Sequence, residues 1–570
     1  MNLDFLRLRL SRIDTGMPWL ALLALLTGLL AGAVIVAFRL LVEGVQGLFL
    51  PDGDPENYEA LGALWRFTLP ALGGLALGLA FTALPAEARG VGVVYVRERL
   101  LYHQGRLPLV NGLVQFFGAA LSIVAGHSVG REGPAVHLGA TPGSLLAQHL
   151  ALPHNVTRIL TACGAAGAIG AAFNTPLAGV VFAMEVILQE YTIAGFLPVI
   201  LASVSATAVS RLVYGDSPAF VVPHLDSMPV AELPWVLLAG ILLGGLAVAF
   251  VRLLEWVTEG ARERPWWLRL TLAGMAVGAV AVFVPQVMGI GYDTVDAALV
   301  GELALGTLAV ITTAKLLATA VGLGLGLPGG LIGPTLMMGA TAGGALGLAA
   351  QLFYPGQTAD PGLYALLGMG AMMGAVLQAP LAALTALLEL TGETGVILPG
   401  MLAIAAANLT ASEVFAHRRS VFAVLLAARG LDYDEHPAAV ALRRVGALSA
   451  IDRDFVALPQ SVERAAAEAA LDHKPRWILI TGEDGPQGLM PAADLLTYLE
   501  AHPEADLVDL MEIPAQRLSV APLDFQATLD DAWRQLRDSH VEALYVARRN
   551  PDYIYGILTE QEVDRFRASP

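Results

Sequence analysis

Between residues 17 and 412 about eleven apolar runs follow one another with few charges between them, and this limits the possible folds more than any other feature. They fall near 17–45, 61–84, 107–126, 157–188, 193–213, 230–255, 267–289, 303–325, 333–353, 362–392 and 395–412. About 20 apolar residues carry a helix across the hydrocarbon layer of a bilayer. Lipid offers no partner to an unpaired peptide group, so a chain crosses it as helices or as a closed barrel. Unbroken apolar runs of this length predict helices. Only 15% of the 570 residues are charged, against about a quarter in a soluble protein. A polytopic α-helical membrane protein follows. Several runs are interrupted by Gly or Pro, which hydrocarbon tolerates only where the backbone lines a cavity or is buried in protein. That favours a transporter or channel.

Arg7, Arg9 and Arg12 precede the first run, which is too long for the core of a signal peptide. It reads as a retained span with a cytoplasmic N-terminus. The net charge is −17, and roughly two-thirds of the excess acid lies after Gly430, so the acidity belongs to a solvated tail and argues against a nucleic-acid partner. The lone cysteine, Cys163, sits in an apolar run, cannot form an intramolecular disulfide and reads as a core residue. No His, Cys, Asp and Glu cluster has metal-ligand spacing.

Beyond about Arg429 the apolar runs shorten to strand length and charges become dense, which predicts a soluble domain. The expected boundaries are a membrane part over 1–428, with halves near 17–213 and 230–428, a linker over 429–442, and a tail over 443–570. Each part repeats internally. GREGPAVHLGA (Gly130 to Ala140) and GGLIGPTLMMGA (Gly329 to Ala340) share a Gly-Pro-x-apolar-x-apolar-Gly-Ala pattern. Some forty residues after each comes NTPLAGVVFAME (Asn174 to Glu185) or QAPLAALTALLE (Gln378 to Glu389). Two elements in one order at nearly the same spacing indicate duplication, and Gly/Pro-broken segments at matching places in two halves point to a binding site. The sequence leaves open whether the halves are parallel or inverted. In the tail, Arg476 to Leu495 and Ala543 to Val563 each read as strand, turn, strand and helix.

Pro134 and Pro334 follow glycines, and proline suits a first helical turn because it has no amide hydrogen to lose. Each element therefore reads as a helix N-terminus. Held at mid-membrane, its free amides and dipole attract an anion without a full positive charge, so the anion can leave again. Glu132 lies inside one such N-terminus, where its carboxylate would compete with the anion as a tethered, protonatable plug. The plainer alternative is a local Arg131–Glu132 ion pair at an interface.

At this point the chain resembles the CLC family of chloride channels and transporters. GREGP (130–134) is similar to the family's gating-glutamate motif and GGLIGP (329–334) to its GGxFxP element, while FNTPLAGVVFAMEV and TTAKLLATAVGLG resemble adjoining segments. The resemblance implies an inverted-repeat homodimer with one anion path per subunit. Glu132 would be the gate, and the amides of Arg131 to Gly133 and of Leu331, Ile332 and Gly333 would cradle the ion. Three positions depart from the family pattern. Val91 stands where a serine usually coordinates the ion, Phe422 where a tyrosine usually closes the same site, and Val186 where many antiporters carry an internal proton-handling glutamate, beside the retained Glu185. Each lost hydroxyl removes a charge-assisted bond of about 1.5–3 kcal/mol, so chloride should be held less tightly. Valine at 186 favours passive conduction.

The tail resembles a pair of CBS modules, near 443–502 and 511–567. By that resemblance an adenine nucleotide would meet Asp494, Thr559 and Glu562. Pro491 and Glu562 replace the usual threonine and aspartate, so a ligand-free platform is equally expected. No cofactor is required for transport.

GHSVG (Gly126 to Gly130) fits a nucleophile elbow, but a long apolar run precedes it instead of a buried strand, so Ser128 reads as a small residue near a turn and the chain as no enzyme. His127 and His137 read as packing residues. Lys315 reads as a snorkelling lysine. The expected function is chloride or other small-anion conduction, gated by voltage or pH through Glu132, in a bacterial inner membrane with both termini cytoplasmic. Anion/proton antiport and a membrane-anchored nucleotide sensor remain as alternatives.

Overall fold

The described part of the membrane region holds seventeen α-helices, some of them short helices between the apolar runs. They are α1 (Ile13–Phe49), α2 (Ala63–Ala83), α3 (Gly92–Tyr102), α4 (Leu109–Val124), α5 (Glu132–His149), α6 (His154–Phe173), α7 (Pro176–Phe182), α8 (Ile193–Tyr214) and α9 (Leu233–Ala261). Then follow α10 (Trp266–Phe283), α11 (Tyr292–Val300), α12 (Leu305–Leu325), α13 (Ile332–Phe353), α14 (Pro361–Leu377), α15 (Pro380–Thr391), α16 (Ile397–Leu409) and α17 (Val421–Ala428). The computed structural model describes residues 13–216, 220, 228–353, 359–392, 394–414, 420–431, 437–482, 485–548 and 553–568, so the middle of the expected linker lies outside the described residues. Among the described residues, nine helical stretches are long and apolar enough to cross a membrane. The chain divides into two units: Ala21–Leu146 with Arg158–Tyr433, and Asp434–Pro570 with Met1–Leu20 and Ala147–Thr157.

Two of the expected runs are each two helices. The run 157–188 turns at Asn174 (φ 60°) before Pro176, and the run 362–392 turns at Gln378 (φ 52°) before Pro380. A left-handed residue reverses the chain, and the following proline opens a new helix. The matching positions mark the repeat again. Gly130 and Gly330 form an antiparallel bridge, so the two matching segments run in opposite directions where they meet, as an inverted repeat requires. Glu185 accepts from the amides of Leu381 (3.2 Å) and Ala382 (2.7 Å) at the start of α15. Glu389 accepts from Leu177 (2.9 Å) and Ala178 (2.7 Å) at the start of α7. Each half thus caps a helix of the other, neutralising donors that no intrahelical carbonyl can reach.

Helix contacts follow the same symmetry. α5 meets α6 at Gly139 and Gly164, and α13 meets α14 at Gly339 and Gly368. A Cβ at Gly139 would lie 2.3 Å from the Gly164 carbonyl oxygen, and one at Gly339 would lie 2.4 Å from that of Gly368. Small residues permit this approach, which replaces the hydrophobic drive missing between helices in lipid.

The tail is α/β. Its strands are β1 (Phe455–Pro459), β2 (Ser461–Glu463), β3 (Trp477–Gly482), β4 (Gly485–Pro491), β5 (Leu507–Asp509), β6 (Val520–Asp524), β7 (Ala543–Ala547) and β8 (Ile554–Thr559). Two three-stranded sheets, β1-β3-β4 and β6-β7-β8, have one topology: a parallel pair, then an antiparallel pair with a register shift. Buried Leu479, Leu489, Ala543 and Ile557 join the two sheets in one cluster. The segment Ala147–Thr157 groups with this unit. There Gln526 accepts from the His154 amide (2.8 Å) and donates to the Leu152 carbonyl (2.7 Å), while His154 Nδ1 lies 3.3 Å from Asp531 Oδ2.

Candidate anion site

The two Gly-Pro elements meet. Gly130 and Gly330 exchange backbone hydrogen bonds, each of 2.7 Å, and a Cβ at Gly133 would lie 2.6 Å from Gly330 Cα. α5 and α13 begin there, and their first helical bonds run from Ala135 to the Arg131 carbonyl and from Thr335 to that of Leu331. The amides of Arg131, Glu132, Gly133, Leu331, Ile332 and Gly333 therefore lie ahead of both helical ladders, in the position that attracts negative charge.

A carboxylate already occupies that position. Glu132 is fully buried; its Oε2 accepts from Gly333 N at 3.0 Å, and its Oε1 accepts from the Tyr292 hydroxyl. The local Arg131–Glu132 ion pair is not formed. Arg131 instead approaches Glu43 (3.6 Å), its guanidinium lies 5.0 Å over the Tyr292 ring, and it donates to the Ala172 carbonyl at 3.4 Å.

Two cavities flank these groups. One, of about 890 Å³, is lined by Val91, Gly133, Leu331, Ile332 and Phe422; its charged lining residues are Arg89, Arg99, Arg262, Arg269 and Arg429 against Glu87 and Glu98. The other, of about 560 Å³, is lined by Tyr292 and is acidic, with Glu43, Asp54, Glu56, Glu59, Asp293 and Asp296 against Arg39 and Arg131. Glu132 lines neither. Burial raises the Glu56 carboxyl to about 7 despite the lowering influence of nearby Arg131, and burial with Asp293 opposite raises that of Glu59.

Val91 is the N-cap residue of α3 and brings no side-chain acceptor to that helix start. The Gly92 amide donates instead to Gln115 Oε1 (2.5 Å), an acceptor from α4 that the sequence did not single out. Phe422 is buried in the first turn of α17. Val186 is buried in a π turn, Ala183–Leu188, and lines neither cavity.

Lys315 does not snorkel. It is fully buried, and its Nζ donates to the carbonyls of Val287 (3.1 Å), Gly289 (3.1 Å) and Ile290 (3.4 Å), which fixes the turn before Tyr292. The two histidines are packing residues. His127 bonds Pro70 O and Ser122 O, and His137 lies 3.3 Å from Gln115 Oε1. Ser128 bonds the Thr319 hydroxyl at 2.9 Å and follows no strand. In the tail, the amide and hydroxyl of Thr559 both donate to Glu562 Oε2 (2.8 and 2.9 Å), so these two groups engage each other; Asp494 lies in the first turn of the helix after β4.

The family model described as voltage gated chloride channel matches residues 73–412. A ClcB-like chloride channel protein of Ralstonia nicotianae is 34% identical over 391 residues, spanning 67% of this chain and 91% of the relative. A solved slow cyanobacterial Cl⁻/H⁺ antiporter superposes with a TM-score of 0.63 at 25% identity, covering 72% of this chain and 98% of that one. A eukaryotic CLC transporter shares the fold over 95% of this chain and 97% of its own, with a TM-score of 0.61 at 20% identity. The chain belongs to the CLC family of voltage gated chloride channels and transporters, and is a multi-pass integral membrane protein that transports anions.

Proposed function

We propose that this chain conducts chloride between the two cavities, and that Glu132 is the gate between them. The observation that carries this reading is the buried Glu132 carboxylate bonded to Gly333 N, where a permeating anion would bind. An open path needs that carboxylate to leave. Protonation removes its charge and weakens its hold on the amides.

The excess of arginine around the larger cavity favours anion entry there, and because basic residues concentrate on the cytoplasmic side of membrane proteins we assign it to the cytoplasm. The acidic cavity then faces outside. Its Glu56 loses charge as pH falls through about 7, so external acid also lifts electrostatic repulsion at the mouth. Replacing Glu56 and Glu59 together by Gln should raise chloride flux at pH 8 by about two- to threefold and leave flux at pH 5 unchanged. Flux assays at the two pH values check this.

Val186 cannot carry a proton, which favours uncoupled conduction; the likeness to an exchange transporter supports a second reading, Cl⁻/H⁺ antiport. Purified protein in chloride-loaded liposomes, with chloride efflux and proton uptake recorded together, separates them. Efflux to the Nernst potential without proton movement is expected. Stoichiometric proton uptake would establish antiport. The tail, with its paired sheets, we read as a CBS pair, and the assembly as a homodimer with both termini cytoplasmic. Thr559 and Glu562 already engage each other, which favours the ligand-free platform over adenine nucleotide binding; titration of the full chain with ATP, ADP and AMP tests this.

A further inference from the structure

Tyr292 stands outside every motif that marks the two helix N-termini, yet its hydroxyl donates to the Glu132 carboxylate. Its position is held from several sides. Gly291, at φ 85°, turns the chain into α11, and the preceding carbonyls are gathered by Lys315. The ring packs edge-on against Phe220 at 4.9 Å and lies 6.3 Å from Phe173, with the Arg131 guanidinium over its face. Its one polar atom is thus aimed at Glu132 by a rigid surround, and the residue is buried.

From this geometry we infer that Tyr292 is the latch of the gate: its hydroxyl holds the Glu132 carboxylate in the closed position, so opening breaks that bond as well as the one to Gly333. This rests on Glu132 being the gate. Tyr292 is a positioning residue, acting on the anion only through Glu132. Tyr292 lines the acidic cavity, and the Gly333 amide completes the clamp on Glu132. A donor to the charged form stabilises that form, so the latch favours the closed gate over the open one. The other charged groups around it are Arg131 of α5, Arg39 and Glu43 of α1, Asp54, Glu56 and Glu59 of the α1–α2 loop, Asp293 and Asp296 of α11 and Lys315 of α12. Replacing the tyrosine hydroxyl alters none of these charges.

The test is chloride flux from liposomes across pH 4.5–8 for wild type, Tyr292→Phe, Glu132→Ala and the double variant. Tyr292→Phe keeps the ring and loses the bond. It should raise flux at pH 7.5 by about tenfold and move the midpoint of acid activation upward by about one pH unit. In the Glu132→Ala background the same change should alter neither flux nor pH profile. A midpoint that stays put in Tyr292→Phe, with flux unchanged or lowered, overturns the latch. If Glu132→Ala itself retains wild-type pH dependence, the gate assignment fails first. Incorporation of 3-fluorotyrosine at 292, a stronger donor of nearly the same shape, guards against misfolding of the phenylalanine variant. It should move the midpoint downward, and an unmoved midpoint there likewise overturns the proposal.

Discussion

Glu132→Gln is expected to raise chloride flux at pH 7.5 by about tenfold and to shrink the response between pH 4.5 and 7.5 to about threefold or less. The carboxylate accepts one bond from Gly333 N and one from the Tyr292 hydroxyl. Bonds to a charged acceptor contribute about 1.5–3 kcal/mol each. A neutral amide loses much of that, and its NH₂ group would face donors with no acceptor to meet. Glutamine therefore imitates the protonated acid and favours the open position at every pH. The residual response belongs to the mouth, where Glu56 still gains charge as pH rises through about 7. Wild-type acid activation in this variant, measured as efflux against external pH, would remove Glu132 from the mechanism.

Both helix starts that frame this residue were readable, because glycine before proline is a local signal that any sequence carries in plain sight. The repeat was readable for the same reason, and so was the strand-turn-strand-helix unit of the tail. The partner of Glu132 was not. Tyr292 lies 160 residues further along and belongs to no periodic pattern, and only the fold brings it to the gate. The nearest signal is Gly-Ile-Gly-Tyr at the end of an apolar run, where glycines at 289 and 291 take positive φ to turn the chain inward. Lys315 was misread because a lysine near an apolar run usually reaches for water. Here three carbonyls at that same turn accept its hydrogen bonds instead. Merging α6 with α7, and α14 with α15, came from counting hydropathy alone. The prolines at 176 and 380 held the correction, since a run of about thirty residues with an internal proline exceeds one crossing. The leading strands β1 and β6 escaped notice because they are five residues long and carry proline.

The closeness of the two helix starts yields the second large effect: Gly330→Val should lower chloride flux by at least about tenfold in protein that remains monodisperse in detergent. A Cβ at Gly330 would lie 2.5 Å from Gly133 N and 3.0 Å from the Gly130 carbonyl oxygen, both backbone atoms that cannot rotate away. Relief requires the two segments to separate, which breaks the reciprocal Gly130–Gly330 bonds. Overpacking of this kind costs about 1–3 kcal/mol, and each lost backbone bond about 1 kcal/mol more. That expense falls on the geometry that lets amides from both halves converge on one charge, because Gly333 N reaches Glu132 only while the segments touch. Gly245→Ala in α9 serves as the control, for a Cβ there meets nothing within 4 Å and flux should match wild type. Flux within twofold of wild type in Gly330→Val would mean that the anion does not need both helix starts together, and the cradle would then have to be assigned to one half alone.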